Sequence, residues 1–173
     1  MIEFLRHLVT TRLAWGLLAA SALFLELCAL FFQHVLGLQP CVMCIYERLA
    51  VLGVLCAGLL GMAAPQKWYI RWGAMLLWGY SSLKGLQLAL KHVDYQMNPS
   101  PFNVCSPYAD FPSWLPLDQW LPWLFLPSGD CGEITWQFLS FSMPQWLVAF
   151  FAAYLLVFIV IAIVDLIKRR CCN

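Results

Sequence analysis

Four nearly continuous apolar stretches, at residues 13–32, 45–64, 72–90 and 146–164, decide what this chain can fold into. Each is close to the ~20 residues that carry an α-helix across ~30 Å of hydrocarbon, where a helix satisfies its own backbone polar groups. The rest of the composition agrees. The 173 residues are 62% hydrophobic and 11% charged, against about 45–50% and about 25% in soluble domains. The sequence therefore predicts an all-α integral membrane protein, a four-transmembrane-helix bundle in a single membrane domain over residues 1–173. A formal net charge of +1 gives no electrostatic footprint for nucleic acid, and none is expected as a partner.

Basic residues set the orientation, because cytoplasmic loops are enriched in Lys and Arg. Arg6 and Arg12 precede the first span, Lys67 and Arg71 separate the second from the third, and Lys168, Arg169 and Arg170 follow the fourth. Both termini are expected in the cytoplasm, with loops of about 33–44 and 92–144 on the opposite face. Ala20-Ser21-Ala22 looks like a signal-peptidase site, but the apolar pattern runs on to Phe32, too long for the core of a cleaved leader, so the first span is expected to be retained. The long loop holds Pro99, Pro101, Pro107, Pro112, Pro116, Pro122, Pro127 and Pro144, which interrupt helices and sheet ladders alike. Its Trp-rich stretch, with Trp114, Leu115, Trp120, Trp123 and Phe125, is too short to span. Lying in the interface or packed on the spans, it holds the loop against the membrane.

The cysteines sort by side. Cys41 and Cys44 form a Cys-Val-Met-Cys motif after Pro40, at the entry to the second span, while Cys105 and Cys131 lie in the long loop. All four fall on the face where disulfides persist. Cys28 and Cys56 lie within spans, where a buried cysteine acts as a small hydrophobe. Cys171 and Cys172 sit beside the basic tail, by chance or as palmitoylation sites. His34 and His92 sit in or beside the outer loops, where a lone interfacial histidine is usually structural.

A Cys-x-x-Cys at a helix start suits redox chemistry, since the helix N-terminus stabilises a thiolate and the short ring makes the disulfide easy to exchange. Pro40 suits the first helical position, which would put both cysteines in the first turn. Arg48 is one helical turn beyond Cys44, so a permanent cation stands beside the deeper sulfur, able to steady a thiolate or the oxyanion of a reduced electron carrier. Arg48 reads equally well as an interfacial residue paired with Glu47. Structural zinc usually takes two Cys-x-x-Cys knuckles, and Cys105 and Cys131 do not form one, so no metal is expected. The c-type haem motif needs a histidine where Ile45 stands. Two inert structural disulfides remain an open reading.

Several runs then converge. ELCALFFQH at 26–34, PCVMCIYER at 40–48, Pro-Ser-Pro-Phe at 99–102 followed by Cys105, Ser-Gly-Asp-Cys at 128–131 and Met-Pro-Gln-Trp at 143–146 together resemble the disulfide bond formation protein B (DsbB) family. The likeness covers nearly the whole chain, and the order, spacing and membrane side of the four outer cysteines agree together. It implies a thiol:quinone oxidoreductase of the bacterial inner membrane, its active loops periplasmic, that reoxidises a DsbA-like dithiol oxidant and passes the electrons to ubiquinone or menaquinone. It implies a Cys105–Cys131 disulfide attacked by the reduced partner, exchange between Cys131 and Cys41, and a Cys44 thiolate facing the quinone beside Arg48. His92 matches a family position near the quinone head group. Reoxidising DsbA, at about −120 mV, is uphill for an ordinary disulfide, because each 30 mV of mismatch costs about 1.4 kcal/mol; a terminal acceptor of higher potential must pull.

Glu26 and Lys84 are charges within spans, each in the outer half of its helix. They are expected to meet as a structural ion pair, with proton handling for the quinone as the other reading. Two competing functions stand beside the DsbB-like one. A vitamin K epoxide reductase-like quinone reductase also couples outer-loop cysteines to a Cys-x-x-Cys, but here that motif opens span two and the second pair lies between spans three and four. From another class, the competitor is a non-catalytic membrane scaffold stapled by disulfides.

Overall fold

The computed structural model of the protein describes residues 10–98, 105–106, 108–113 and 116–171, the last five of these as helical backbone alone. Arg6, Pro99, Ser100, Pro101, Phe102, Pro107, Trp114, Leu115 and Cys172, with the side chains of Lys168, Arg169, Arg170 and Cys171, lie outside the described part. The elements are α1 (Arg12–His34), α2 (Val42–Ala63), α3 (Trp68–Met97), α4 (Leu117–Trp120), α5 (Pro122–Phe125), β1 (Gln137–Phe138), β2 (Phe141–Ser142) and α6 (Met143–Cys171).

Each apolar stretch becomes a long helix. α1, α2 and α6 as far as Leu166 are long and apolar enough to cross a membrane. α3 is more polar, with Arg71, Lys84, Lys91, His92 and Asp94 along it, and outruns its apolar stretch at both ends. No proline falls between Pro65 and Pro99, and the latter ends the helix by disfavouring helical backbone at Asn98. His92, expected at the margin of the long loop, is therefore fixed on a helix.

α2 packs between α1 and α3, and α3 packs in turn on α6. Trp15, Val51, Val54, Ala57, Met75, Trp78 and Phe151 are among the buried core. Small residues set the helix spacing, as is usual where lipid provides no hydrophobic drive between helices. A Cβ on Gly58 would lie 2.7 Å from the backbone nitrogen of Ala19. Leu13, Phe24, Leu76, Leu156 and Ile163 point outward and are exposed, an apolar exterior suited to lipid.

Three expectations need correction. α2 begins at Val42, so Pro40 precedes the helix and Cys41 is its N-cap; only Cys44 lies in the first turn. Glu26 does not meet Lys84. It is buried against Arg48 of α2, whereas Lys84 lies on an exposed face of α3, because α1 packs mainly against α2. Cys56 is exposed on the bundle surface and Cys28 is half-buried. In a membrane helix the outward face is as apolar as the core, so hydrophobic pattern alone does not separate the two.

The long loop forms two single-turn helices and a two-stranded hairpin, β1 pairing antiparallel with β2. The hairpin turn places Leu139 (φ 51) and Ser140 (φ 66) in left-handed conformations normally taken by Asn-Gly. Trp120 and Trp123 are exposed, while Phe125 is buried.

Candidate redox site

The site grows from the start of α2. Cys41 accepts a hydrogen bond at Sγ from the backbone N–H of Cys44 at 3.3 Å, the N-cap geometry that satisfies an orphan donor of the first turn. The two sulfurs lie 2.8 Å apart as a dithiol, and either thiol can donate to the other. Hydrogen bonding from the Cys44 thiol holds Cys41 below the ordinary thiol range, helped by backbone N–H groups and opposed by burial. Cys41 is thus shifted toward the thiolate form that exchange chemistry uses.

On one side stands the long loop. Cys105 and Cys131 form a disulfide with a Cα separation of 6.2 Å. Cys131 is buried in one cluster with Cys41 and Met43, flanked by Cys44, Tyr46, Tyr95 and Cys105. The backbone fixes this meeting. Ser128 and Gly129 both donate their N–H groups to the carbonyl of Pro40, at 2.9 and 3.1 Å. A Cβ on Gly129 would lie 2.5 Å from the Gln39 carbonyl oxygen, so only glycine lets the two segments approach this closely. Asp110 donates its N–H to the Tyr46 hydroxyl at 2.7 Å, tethering the loop a second time.

On the other side lies a cavity of about 350 Å³, bounded by α1, the start of α2, the hairpin and the outer end of α6. Its wall is largely apolar and aromatic, including Phe24, Phe32, Trp136, Phe138, Trp146 and Phe150, with Cys44, Arg48, Glu26, Gln33 and Glu47 as its polar part. Arg48 is locked in place: Nε meets Glu26 Oε1 at 3.1 Å, and Nη1 donates to Gln33 Oε1 at 2.8 Å and to the Leu124 carbonyl at 2.9 Å. Gln33 Nε2 in turn donates to the Trp123 carbonyl at 2.9 Å, and His34 packs near the Trp123 ring. The Trp-rich stretch thereby closes over the arginine.

His92 stands on the Cys41 side and is not among the residues lining the large cavity. Its Nε2 is 3.5 Å from Cys41 Sγ, and its Nδ1 is 3.0 Å from Glu47 Oε1, with all three residues buried. Glu47 is thus the partner of His92 and not of Arg48. Sequence reasoning singled out Cys41, Cys44, Arg48, His92, Cys105 and Cys131, and the fold brings them to one end of the bundle. It missed the parts played by Glu26, Glu47 and Gln33. The signal available for the two glutamates was their place inside apolar spans, where a carboxylate needs a named partner.

This chemistry suits thiol–disulfide exchange: a loop disulfide, half-buried at Cys105 and buried at Cys131, meets a second cysteine pair at a helix start, and the deeper sulfur of that pair opens on an apolar chamber with a fixed cation. The family model for disulfide bond formation protein DsbB matches residues 11–161. The chain is 80% identical over all 173 residues to a protein of Aeromonas salmonicida named disulfide bond formation protein B, and 76% identical to one of the same name from Aeromonas hydrophila, each aligned over the full length of both chains. A Psychromonas ingrahamii protein of that name is 55% identical over 170 residues, which cover 98% of this chain and 92% of the relative. Cysteine arrangement, helical membrane architecture and these likenesses agree, and the chain belongs to the DsbB family of disulfide bond formation proteins.

Proposed function

We propose that the protein is a thiol:quinone oxidoreductase of the bacterial inner membrane, crossing it four times with both termini cytoplasmic, which reoxidises a DsbA-like periplasmic dithiol and delivers the electrons to ubiquinone or menaquinone. One observation carries the reading. Cys44 and Arg48 line an apolar cavity, while Cys41, three residues earlier, is buried with Cys131 of the loop disulfide. The helix start is thus a junction between a protein disulfide and a lipid-side chamber. The cavity falls within the ~300–1,000 Å³ range of small-molecule sites and pairs an aromatic wall with a few convergent polar groups, which fits a flat, apolar ring with oxygen substituents.

The steps follow from the residues. A thiolate of the reduced partner attacks the Cys105–Cys131 disulfide, and the sulfur released there attacks the Cys41–Cys44 disulfide at Cys41. Cys44 leaves as a thiolate beside the cavity wall, and Arg48 stabilises its charge where burial strengthens electrostatics. Leu124 and Gln33 hold the guanidinium through Nη1, and the hairpin and α6 aromatics give the cavity an apolar wall. Bound there, a quinone supplies the two-electron, two-proton acceptor whose potential pulls the exchange forward. The partner's second thiol closes the partner's own disulfide and frees Cys105, which attacks Cys131, restores the Cys105–Cys131 bond and releases Cys41. Cys41 and Cys44 re-form their disulfide as their two electrons and two protons pass to the acceptor, and both pairs are ready for another round.

The test is quinone reduction by the purified, detergent-solubilised protein with a reduced DsbA-like partner and a soluble ubiquinone analogue. Wild type is expected to turn over, with Cys44→Ser and Cys105→Ser at background. A folded protein that reduces no quinone and exchanges no disulfide would instead be the scaffold stapled by inert disulfides.

A further inference from the structure

We propose that the reduced Cys41–Cys44 pair and His92 form a binding site for one thiophilic divalent cation of the zinc class, which exists only in the dithiol state. The sulfurs of Cys41 and Cys44 and a ring nitrogen of His92 all lie within 4.8 Å of one another. Two sulfurs and one nitrogen are an established zinc donor set that leaves a fourth position for water. The spacings are near those required. Zinc bonds of ~2.3 Å to sulfur and ~2.0–2.1 Å to nitrogen in a tetrahedron put sulfur and nitrogen about 3.5 Å apart and two sulfurs about 3.8 Å apart. Cys41 Sγ and His92 Nε2 already stand at 3.5 Å, and the sulfurs, at 2.8 Å, need only open by about 1 Å, within reach of a small side-chain rotation.

The surroundings are those of a metal ligand set. His92 presents Nε2 to the sulfurs and holds Glu47 through Nδ1, the carboxylate–histidine arrangement that fixes the ring and raises its basicity as a ligand. Glu47 is almost wholly buried, and its Oε2 has no hydrogen-bond partner among the described residues. A second, smaller cavity of about 30 Å³ lies against Cys41, Cys44, Glu47 and His92, with Asp130 and Glu133 also in its wall. That is room for a water-sized guest, with the carboxylates of Glu47, Asp130 and Glu133 to attract a cation. His92 lies 51 residues from Cys41 in the chain and meets it only through α2–α3 packing, so no local motif betrays this set.

Binding releases two thiol protons to solvent and moves no electrons. A Cys41–Cys44 disulfide withdraws both sulfur ligands, so occupancy reports the redox state. The regulatory consequence rests on the proposed function: a cation on the dithiol caps Cys41 and Cys44 together and stalls the protein in its reduced form.

The experiment uses the full-length protein in detergent carrying Cys105→Ser and Cys131→Ser, so that Cys41 and Cys44 are its only outer-face thiols. Reduced and oxidised samples are titrated with Zn²⁺, and with Cd²⁺ followed by its thiolate charge-transfer absorption. One ion per reduced chain is expected, with none on the oxidised chain, a loss of binding in Cys41→Ser, and affinity about 10–100-fold weaker in Glu47→Gln. X-ray absorption on the zinc-loaded protein needs no change at His92 and should find two sulfurs and one imidazole nitrogen. Equal binding to both redox states, a shell of three or four sulfurs, or no saturable binding would overturn the proposal. Quinone turnover of zinc-free wild type is measured separately: turnover without zinc binding sinks this site alone, and zinc binding without turnover sinks the proposed function alone.

Discussion

Two arginines are buried among the described residues, and their surroundings differ. Arg48 pairs with Glu26 at 3.1 Å and Arg71 with Asp165 at 3.3 Å, both with little exposed side chain. Arg48 sits at the wall of the large cavity, its other contacts drawn from α1 and the long loop. Arg71 donates to the Pro65 carbonyl at 3.2 Å and so ties the α2–α3 connection to α6, and neither cavity touches it. A buried charge within an apolar helix therefore does not mark a functional site by itself. What faces the guanidinium's remaining side decides which kind it is.

Double replacement should separate the pairs most sharply. Exchanging a buried ion pair for apolar residues of similar volume is often neutral or stabilising. Arg71→Met with Asp165→Leu should therefore keep both stability and turnover. Arg48→Met with Glu26→Leu should keep the fold but lose nearly all quinone reduction, measured as kcat/KM for the quinone analogue. Turnover surviving the second exchange would erase the distinction.

Single replacement comes next. Removing one member of a buried pair costs about 3–5 kcal/mol. Arg71→Met alone should lower thermal or denaturant stability by that order while leaving the quinone KM of the folded fraction unchanged. A shifted KM would make Arg71 part of the site.

A smaller effect isolates the loop side of the junction. Gly129→Ala should push the Ser-Gly-Asp-Cys segment off Pro40 and slow exchange between the cysteine pairs about tenfold, or about 1.4 kcal/mol in the barrier. The quinone KM should not move, and single-turnover kinetics would separate the two steps. The smallest expected effect is a shift in titration. Cys41 is held low first by the Cys44 thiol, so in Cys44→Ala the pH midpoint for alkylation of Cys41 should rise. A midpoint that stayed or fell would mean the helix start, and not its partner sulfur, sets the acidity.

The helices were legible in the sequence because apolar runs of membrane length leave few choices, and the four outer cysteines because motif and loop placement coincide. Helix pairing was not legible. Glu26 and Lys84 share a depth in their spans, yet depth says nothing about which face of α1 meets which neighbour. Glu47 and Arg48 adjoin in sequence, but adjacent residues on a helix point about 100° apart, and Glu47 turns to His92 while Arg48 turns to Glu26. The hairpin was hidden because Leu139 and Ser140 adopt a turn their residue types disfavour.

α3 carries Arg71 near one end and His92 near the other, 21 residues apart, a helical rise of about 32 Å. That nearly equals the ~30 Å thickness of bilayer hydrocarbon. On the proposed four-span topology the helix is a ruler. One mark is pinned to α6 and the other is the imidazole beside Cys41, so that topology would hold the sulfurs at the level where the acyl chains give way to headgroups. A carrier dissolved in the lipid and a protein dissolved in the water can each reach that level without crossing into the other's medium.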